Sequence, residues 1–222
     1  MHRMKRPELT PDLLLRAYRI GLFPMAEGRE DHRIYWLDPE LRGVVPLESF
    51  HLPRRLRRTA LGGRFRITTD RAFPTVLAAC AAQAANRPDT WINPTIEQLF
   101  NALNEAGHAH SIECWEGDAL AGGLYGLAIG GAFFGESMFH RTRDASKVAL
   151  VYLVALLRAQ GFALLDAQLV NRHLGQFGTH EVPREAYRAW LAQAVDLPAR
   201  WPRVLDEAAL HPIIAGMGKE TE

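Results

Sequence analysis

The stretch that decides the fold runs from residue 110 to residue 139 and reads HSIECWEGDALAGGLYGLAIGGAFFGESMF. Three extended segments, 110–115, 120–129 and 132–139, are separated by the turn sequences Glu-Gly-Asp and Gly-Gly. Short extended runs joined by such turns are typical of hairpins. The sequence therefore predicts three antiparallel strands in a row, at the centre of a sheet.

Further elements flank this centre on both sides. The alternation at 65–69 predicts a strand, and the apolar periodicity and the cap residues around it predict helices. The predicted helices cover about 72–85, 93–107, 144–160 and 183–195, and a last strand covers 162–169. This order is similar to the N-acyltransferase (GNAT) architecture, a mixed sheet whose fourth and fifth strands splay apart to admit the acyl donor. We therefore expect an α/β (α+β) fold with a GNAT-like mixed sheet flanked by helices.

The front of the chain has a different character. Thr10 caps a predicted helix that Gly21 ends. Residues 22–60 are rich in proline, glycine and charge, with short extended pieces at 34–36 and 43–45. We expect a small N-terminal α/β domain over 1–62, followed by the GNAT-like acyltransferase domain over 63–222.

Composition narrows the class of protein. The 222 residues are 48% hydrophobic and 23% charged, as in soluble globular proteins. No apolar run approaches the roughly 20 residues that a membrane helix needs, and the first ten residues lack the apolar core of a signal peptide. We therefore expect a cytoplasmic protein with no membrane partner. Residues 1–70 carry 14 Lys/Arg against 9 Asp/Glu, whereas residues 71–222 carry 12 against 16. A basic front and an acidic remainder suit a protein that holds a polyanion at one end and a cation elsewhere.

Three polar residues stand in strands that are otherwise apolar. Asp166 and Gln168 are two apart and share one face, and Glu136 follows a glycine in the third central strand. A carboxylate can hold an ammonium group, and an amide can orient the amine as its proton leaves. Acyl transfer from an activated ester to an amine needs little beyond positioning and proton management. The same residues also fit a strand end in contact with water or a helix cap, and Glu136 fits a half-exposed strand position.

Seven blocks of sequence resemble the leucyl/phenylalanyl-tRNA–protein transferases, in order and with spacing intact over roughly residues 10–195. The blocks are GLFPM (21–25), YWLDP (35–39), GESMF (135–139), ASK (145–147), DAQ (166–168), NRHL (171–174) and GTHEVPR (178–184). The resemblance implies that Asp166 and Gln168 organise the attacking amine and that Glu136 helps to hold the aminoacyl end. It also implies an apolar pocket for the leucine or phenylalanine side chain. The matching wall residues are Leu124, Phe133, Met138, Leu153 and Leu165. Leu124 and Leu153 stand where the family pattern leads us to expect methionine and phenylalanine.

The resemblance also implies a site for the RNA. Trp36 and Trp91 are candidates for stacking on the terminal adenosine, although either tryptophan equally fits packing between the two domains. The run Arg54-Arg55-Leu56-Arg57-Arg58 carries four guanidinium groups. With a tRNA donor, these arginines suit contact with the phosphate backbone, whereas without one they fit a solvated face of the protein.

The implied reaction moves leucine, phenylalanine or possibly methionine from aminoacyl-tRNA to the N-terminal amine of proteins that begin with Arg or Lys. The resemblance links such a product to N-degron proteolysis. No metal and no cofactor is expected.

Three alternatives stay open at this point. The first is an acetyl-CoA-dependent N-acetyltransferase, against which the glycine-free segment 141–147 and its Asp144 count. The second is a non-catalytic RNA-binding module, which would leave Asp166, Gln168 and Glu136 without a purpose. The third is a sister transferase that places leucine on acidic N-termini.

Overall fold

The structure, a computed structural model, describes residues 9–82 and 89–218. The helices are α1 (Pro11–Arg19), α2 (Arg54–Leu61), α3 (Phe73–Ala81), α4 (Pro94–Glu105), α5 (Ala145–Ala159), α6 (Arg172–Gly175), α7 (Arg184–Ala194) and α8 (Glu207–Gly216). The strands are β1 (Phe23–Met25), β2 (Tyr35–Leu37), β3 (Leu41–Val45), β4 (Arg66–Thr69), β5 (Ala109–Glu116), β6 (Ala119–Ile129), β7 (Ala132–His140), β8 (Leu164–Gln168) and β9 (His180–Pro183).

Seven strands form one mixed sheet in the order β4-β5-β6-β7-β8-β3-β9. Every neighbouring pair is antiparallel except β7 and β8, which run parallel. The three predicted central strands are confirmed as β5, β6 and β7, and the mixed α/β fold class is confirmed with them. β1 and β2 form a separate two-stranded antiparallel sheet.

Close packing explains one of the glycines in β6. The register between β6 and β7 shifts at Tyr125/Gly126, which marks a β-bulge. A Cβ atom on Gly126 would lie 2.2 Å from the carbonyl oxygen of Phe134 and 2.4 Å from the ring of Phe133. Only glycine therefore allows β7 to approach β6 this closely at the bulge.

Helices cover both faces of the sheet. α5 is buried along almost its whole length and packs against β5, β6 and β7 on one face, with α2 and α8 beside it. α3 packs against the same strands on the other face, and α1 and α4 lie there too. The alternation of β6 explains the two cores, because Leu124 belongs to the first and the next residue, Tyr125, belongs to the second.

The front of the chain also contributes to the large sheet. The extended piece predicted at 43–45 is part of β3, which lies between β8 and β9. α2 packs against α5 and α8. The boundary between 62 and 63 stays a prediction, but residues on both sides of it build the same sheet and its helical layer.

Most predicted helices are confirmed with small shifts of their ends. The helix predicted over 72–85 is observed as α3, which ends at Ala81, and residues 83–88 lie outside the described parts of the chain. α2, α6, β9 and α8 were not predicted as elements. No helix in the described ranges is long and apolar enough to cross a bilayer.

Candidate active site

A cavity opens where two parallel strands part. β7 and β8 are paired from Ala132/Leu164 only as far as Phe134/Asp166, although both strands continue beyond that point. The cavity of about 310 Å³ lies between the unpaired ends and is lined by residues 135–138 of β7 and 165–168 of β8. The splayed strand pair therefore creates the space, and it brings Glu136, Asp166 and Gln168 to its edge.

Asp166 is the anchor of a buried polar network. Its carboxylate is fully buried and receives two-pronged hydrogen bonds from Arg42, Nε to Oδ1 at 2.9 Å and Nη2 to Oδ2 at 2.7 Å. The hydroxyl of Tyr187 donates to Oδ2 at 2.7 Å, and the backbone amide of Gln168 donates to Oδ1 at 2.8 Å. Burial alone would lower the pKa of Arg42, but its hydrogen bonds to Asp166 and the charge of that carboxylate raise it. Both oxygens of the carboxylate are thus occupied by protein donors.

Gln168 is held in an unusual backbone conformation. Its φ is 54°, a left-handed value that a residue with a side chain adopts only when surrounding contacts enforce it. The hydrogen bond from its own amide to Asp166 is such a contact. The side-chain nitrogen of Gln168 donates to Glu136 Oε1 at 3.1 Å. Its carbonyl oxygen Oε1 makes no hydrogen bond to the described residues, so it is available as an acceptor at the cavity.

Glu136 completes the array from the opposite strand. Its Oε1 accepts hydrogen bonds from Gln168 and from the hydroxyl of Tyr18, the latter at 2.8 Å. Burial, the largest cause, and the charge of Asp166 raise the pKa of Glu136, whereas Tyr18 and Arg42 oppose the shift, and the pKa is about 8 as a result. The residue as a whole keeps a partly exposed surface toward the cavity. Glu136 is therefore a carboxyl group that changes protonation near neutral pH.

The predicted apolar wall is largely assembled at this cavity. Leu124, Met138, Leu153 and Leu165 line it together. Phe133 is not among the lining residues: it is fully buried and stacks on Trp201 with ring centroids 5.2 Å apart. The apolar wall and the three polar groups thus occupy one cavity, as a site for an apolar side chain beside a reacting amine requires.

The two tryptophans are placed differently. Trp91 lines the cavity and also a neighbouring cavity of about 560 Å³, whose walls include Met25, Tyr35 and Leu37. Trp36 lies in β2, opposite Pro24, and packs against the core on the α3 face. The structure therefore brings Trp91 but not Trp36 to the cavity, and the stacking roles of both residues stay predictions.

Comparison with known proteins identifies the family. The family model for the leucyl/phenylalanyl-tRNA protein transferase matches residues 44–192, and the model for the N-terminal domain of the same proteins matches residues 7–40. The chain belongs to the leucyl/phenylalanyl-tRNA–protein transferase family. The resemblance found in the sequence is confirmed, and the protein is a transferase of aminoacyl groups.

Curated relatives agree over most of both chains. The leucyl/phenylalanyl-tRNA–protein transferase of Afipia carboxidovorans is 58% identical over 191 residues, 86% of this chain and 84% of the relative. That of Phenylobacterium zucineum is 59% identical over 186 residues, 84% of each chain. That of Paramagnetospirillum magneticum is 58% identical over 187 residues, 84% of this chain and 90% of the relative.

The four arginines of the basic run lie on α2 of this transferase, but they do not all face outward. Arg54, Arg55 and Arg58 are exposed. Arg55 Nη2 lies 2.7 Å from Asp144 Oδ2, at the start of α5. Arg57 instead points inward and donates to the carbonyl oxygen of Met217, at the end of α8. Contact of this run with RNA stays a prediction. Arg57 differs from the other three arginines because its side chain is bound to the end of α8.

Sequence reasoning missed three residues of the network: Arg42, Tyr187 and Tyr18. Each belongs to an element distant in sequence from Asp166 and Glu136, and each is almost fully buried. One signal was present for Arg42, which stands in the apolar strand LRGVV, where a buried charge requires a partner. In the described parts of the transferase, no group of three or more His, Cys, Asp or Glu side chains is placed to hold a metal ion.

Proposed function

We propose that this transferase moves leucine or phenylalanine, and also methionine, from aminoacyl-tRNA to the N-terminal amine of acceptor proteins that begin with Arg or Lys. The observation that carries the proposal is the array of Asp166, Gln168 and Glu136 at the rim of an apolar cavity. Proteins marked in this way enter N-degron proteolysis in the cytoplasm.

The donor side chain enters the apolar cavity. Leu124, Met138, Leu153 and Leu165 surround it with apolar surface, so that a leucine or phenylalanine side chain leaves water on binding. The aminoacyl ester then lies at the rim, beside the unpaired ends of β7 and β8. Trp91, which lines this cavity and the next, offers a ring face for the terminal adenine.

Each of the three polar residues has its own role toward the acceptor amine. Asp166, with its oxygens occupied by Arg42, Tyr187 and Gln168, fixes the position of Gln168 and adds negative charge nearby. The carbonyl oxygen of Gln168 accepts a hydrogen bond from the amine and orients its lone pair. Glu136 takes the proton, because its raised pKa of about 8 lies close to that of an α-amine, about 7.7–8.0.

The chemical step is a direct acyl transfer. The neutral amine attacks the ester carbonyl, the new C–N bond forms, and the bond between the carbonyl carbon and the ribose oxygen breaks. The proton that the attacking nitrogen loses as the C–N bond forms goes to the ribose oxygen, so that tRNA departs as the alcohol. No enzyme-bound acyl intermediate is needed.

Charge supports the choice of acceptor. Residues 71–222, which form most of the sheet around the cavity, carry 12 Lys/Arg against 16 Asp/Glu. A negative balance attracts an N-terminal Arg or Lys and disfavours an acidic N-terminus.

The proposal is tested by transfer of radiolabelled leucine from charged tRNA to four peptides that differ only in the first residue: Arg, Lys, Asp or Ala. The Gln168→Ala variant is assayed alongside, with circular dichroism as the check on folding. Label on the Arg and Lys peptides only, lost in the variant, is the expected result. Label on the Asp peptide would favour the sister transferase, and no label on any peptide would overturn the proposal.

A further inference from the structure

A second, strongly basic cavity lies at the start of α5. Its volume is about 510 Å³, and each of its lining residues has a polar or charged side chain. The basic side chains at its wall are Arg55, Arg141, Arg143, Lys147, His140 and His173. Of these, only Arg55 belongs to the basic run on α2, so the cavity is distinct from the patch that the sequence suggested.

The fixed charges of this basic cavity are unbalanced. Four side chains, Arg55, Arg141, Arg143 and Lys147, are cationic at neutral pH, and the one acidic lining residue is Asp144. Asp144 pairs with Arg55 at 2.7 Å and lies 3.9 Å from Arg143. A concave surface with several excess positive charges attracts an anion more strongly than the same charges on a flat face.

The end of a helix adds to this field. α5 has 15 residues and begins at Ala145, with Asp144 as its N-cap residue. Asp144 has a φ of 69° and does not cap the helix with its side chain, so the positive end of the helix is not neutralised by a cap. An anion in the basic cavity is therefore also next to the helix N-terminus.

One residue joins the basic cavity to the candidate active site. His173 lines both cavities. Its Nε2 atom is buried and has no hydrogen-bond partner among the described residues. Burial lowers the pKa of His173, and the nearby charges of Lys147 and His140 lower it further. The positive charges of the basic cavity thus act on His173. They would act in the same way on an anionic ligand that reaches the basic cavity from the candidate active site.

We propose that the basic cavity binds the backbone phosphate that joins the last two nucleotides of the donor RNA, with Arg143 and Lys147 as its main side-chain contacts. The inference rests on the proposed function, because it takes the aminoacyl ester to lie in the adjoining cavity. Only the terminal ribose separates that ester from the phosphate, and His173 marks the short path between the two cavities.

A single phosphate fits this cavity better than the pyrophosphate of a coenzyme. A pyrophosphate needs a glycine-rich loop that lets the backbone amides close around it, and the segment RTRDASK at 141–147 has no glycine. Asp144 would also repel the second phosphate group. A nucleic acid backbone carries a single charge per nucleotide, so one of its phosphates needs no such loop.

The test compares two small donors, leucyl-adenosine and the leucyl ester of the dinucleotide CpA, which adds a phosphodiester and a cytidine to the adenosine. Transfer to an Arg-peptide is measured with the wild-type protein, Arg143→Gln, Lys147→Gln and the control Arg16→Gln, an exposed position on α1. In the wild type and the control, the KM for the CpA ester is expected to be about tenfold below that for leucyl-adenosine, as one charge-assisted contact provides. In the two cavity variants this ratio is expected to fall toward one. An unchanged ratio in both variants would overturn the inference.

A gain-of-binding variant and two titrations complete the design. Asp144→Asn keeps a residue that tolerates positive φ and removes the one carboxylate among the residues described as lining the basic cavity, so the KM for the CpA ester should fall further. All proteins are also titrated with CpA and with coenzyme A, without any acceptor.

Phosphate-dependent CpA binding that the cavity variants lose, together with no transfer in the wild type, would keep this inference and reject the proposed function. Transfer without any preference for the CpA ester would keep the proposed function and overturn this inference. Coenzyme A binding stronger than CpA binding, and lost in the same variants, would assign the basic cavity to a pyrophosphate and overturn the inference.

Discussion

Arg42 Nη2 and Asp166 Oδ2 lie 2.7 Å apart, with side chains that are 1% and 0% exposed to solvent. Two charges at this depth stabilise the fold only as a pair, because either one alone would remain in a medium that solvates it poorly. The guanidinium also donates from Nη1 to the carbonyl oxygen of Gly21, at the end of α1. One ion pair therefore connects β3, β8 and the first helix around the candidate active site.

Removal of Arg42 is expected to cost more stability than loss of any surface ion pair. Arg42→Ala leaves the buried Asp166 carboxyl group without its main partner, so the free energy of unfolding should fall by about 3–5 kcal/mol. Urea denaturation followed by circular dichroism measures this change. Arg188→Ala, which removes an exposed partner of Asp38 at 2.8 Å, is the matched control and should cost less than about 1 kcal/mol. Equal losses in the two variants would contradict the assigned role.

Substitution of Glu136 should change how stability depends on pH. The pKa of Glu136 is raised from 4.5 to about 8 in the fold. Its protonated form is therefore the stabilising one: the contribution is complete below about pH 4.5 and is lost as pH rises toward about 8. Glu136→Gln keeps an oxygen for Tyr18 and Gln168 but never ionises. The quantity of interest is the free energy of unfolding of the variant minus that of the wild type. This difference should be about 1–3 kcal/mol larger at pH 9 than at pH 4.5.

The access of Glu136 to the cavity explains why this gain is smaller than a sealed site would give. Thermal or urea unfolding of both proteins at pH 4.5, 6, 7.5 and 9 measures the difference. A difference that does not vary with pH would show that Glu136 ionises normally in the fold. The same variant should transfer leucine more slowly than the wild type at every pH, because it cannot take a proton from the amine.

Local sequence was sufficient to locate part of the site. The alternation of β8 put Asp166 and Gln168 on one face, and Glu136 stood out as a polar residue after a glycine in an otherwise apolar strand. Both readings concern residues a few positions apart, where the geometry of a strand fixes the outcome. The central hairpins β5–β6 and β6–β7 were predictable for the same reason, since short turns leave few alternative pairings.

Long-range pairing was not predictable from such patterns. Arg42 contacts Asp166, 124 positions away in sequence, because β3 lies between β8 and β9. The sequence of β3 itself does not indicate which strands pair with it. The left-handed backbone of Gln168 depends on that same carboxylate. The two-residue spacing also gave no sign of the protein donors that occupy the oxygens of Asp166.

The size of the apolar cavity should set the preference between donors. Leu153 lines the cavity at a position where the sequence resemblance led us to expect phenylalanine. Leu153→Phe adds a ring to a space of about 310 Å³, so transfer of phenylalanine should fall by about tenfold relative to transfer of leucine. Leu153→Met, which conserves volume, is the control and should keep the wild-type ratio. The ratio of kcat/KM for the two charged tRNAs measures the effect, and an unchanged ratio in Leu153→Phe would place the donor side chain elsewhere.

The two tryptophans should separate donor binding from stability. Trp91 lines the candidate active site and the adjoining cavity, so Trp91→Ala should raise the donor KM by about tenfold or more, the effect of one lost base stack. Trp36 lines neither cavity and packs against the core, so Trp36→Ala should mainly lower the free energy of unfolding. Trp91→Phe keeps an aromatic face and should retain most of the wild-type affinity. Steady-state kinetics with leucyl-tRNA, beside urea denaturation, separates the two effects. A larger KM change in Trp36→Ala than in Trp91→Ala would reverse the assignment, because only a residue in contact with the donor alters KM without a matching loss of stability.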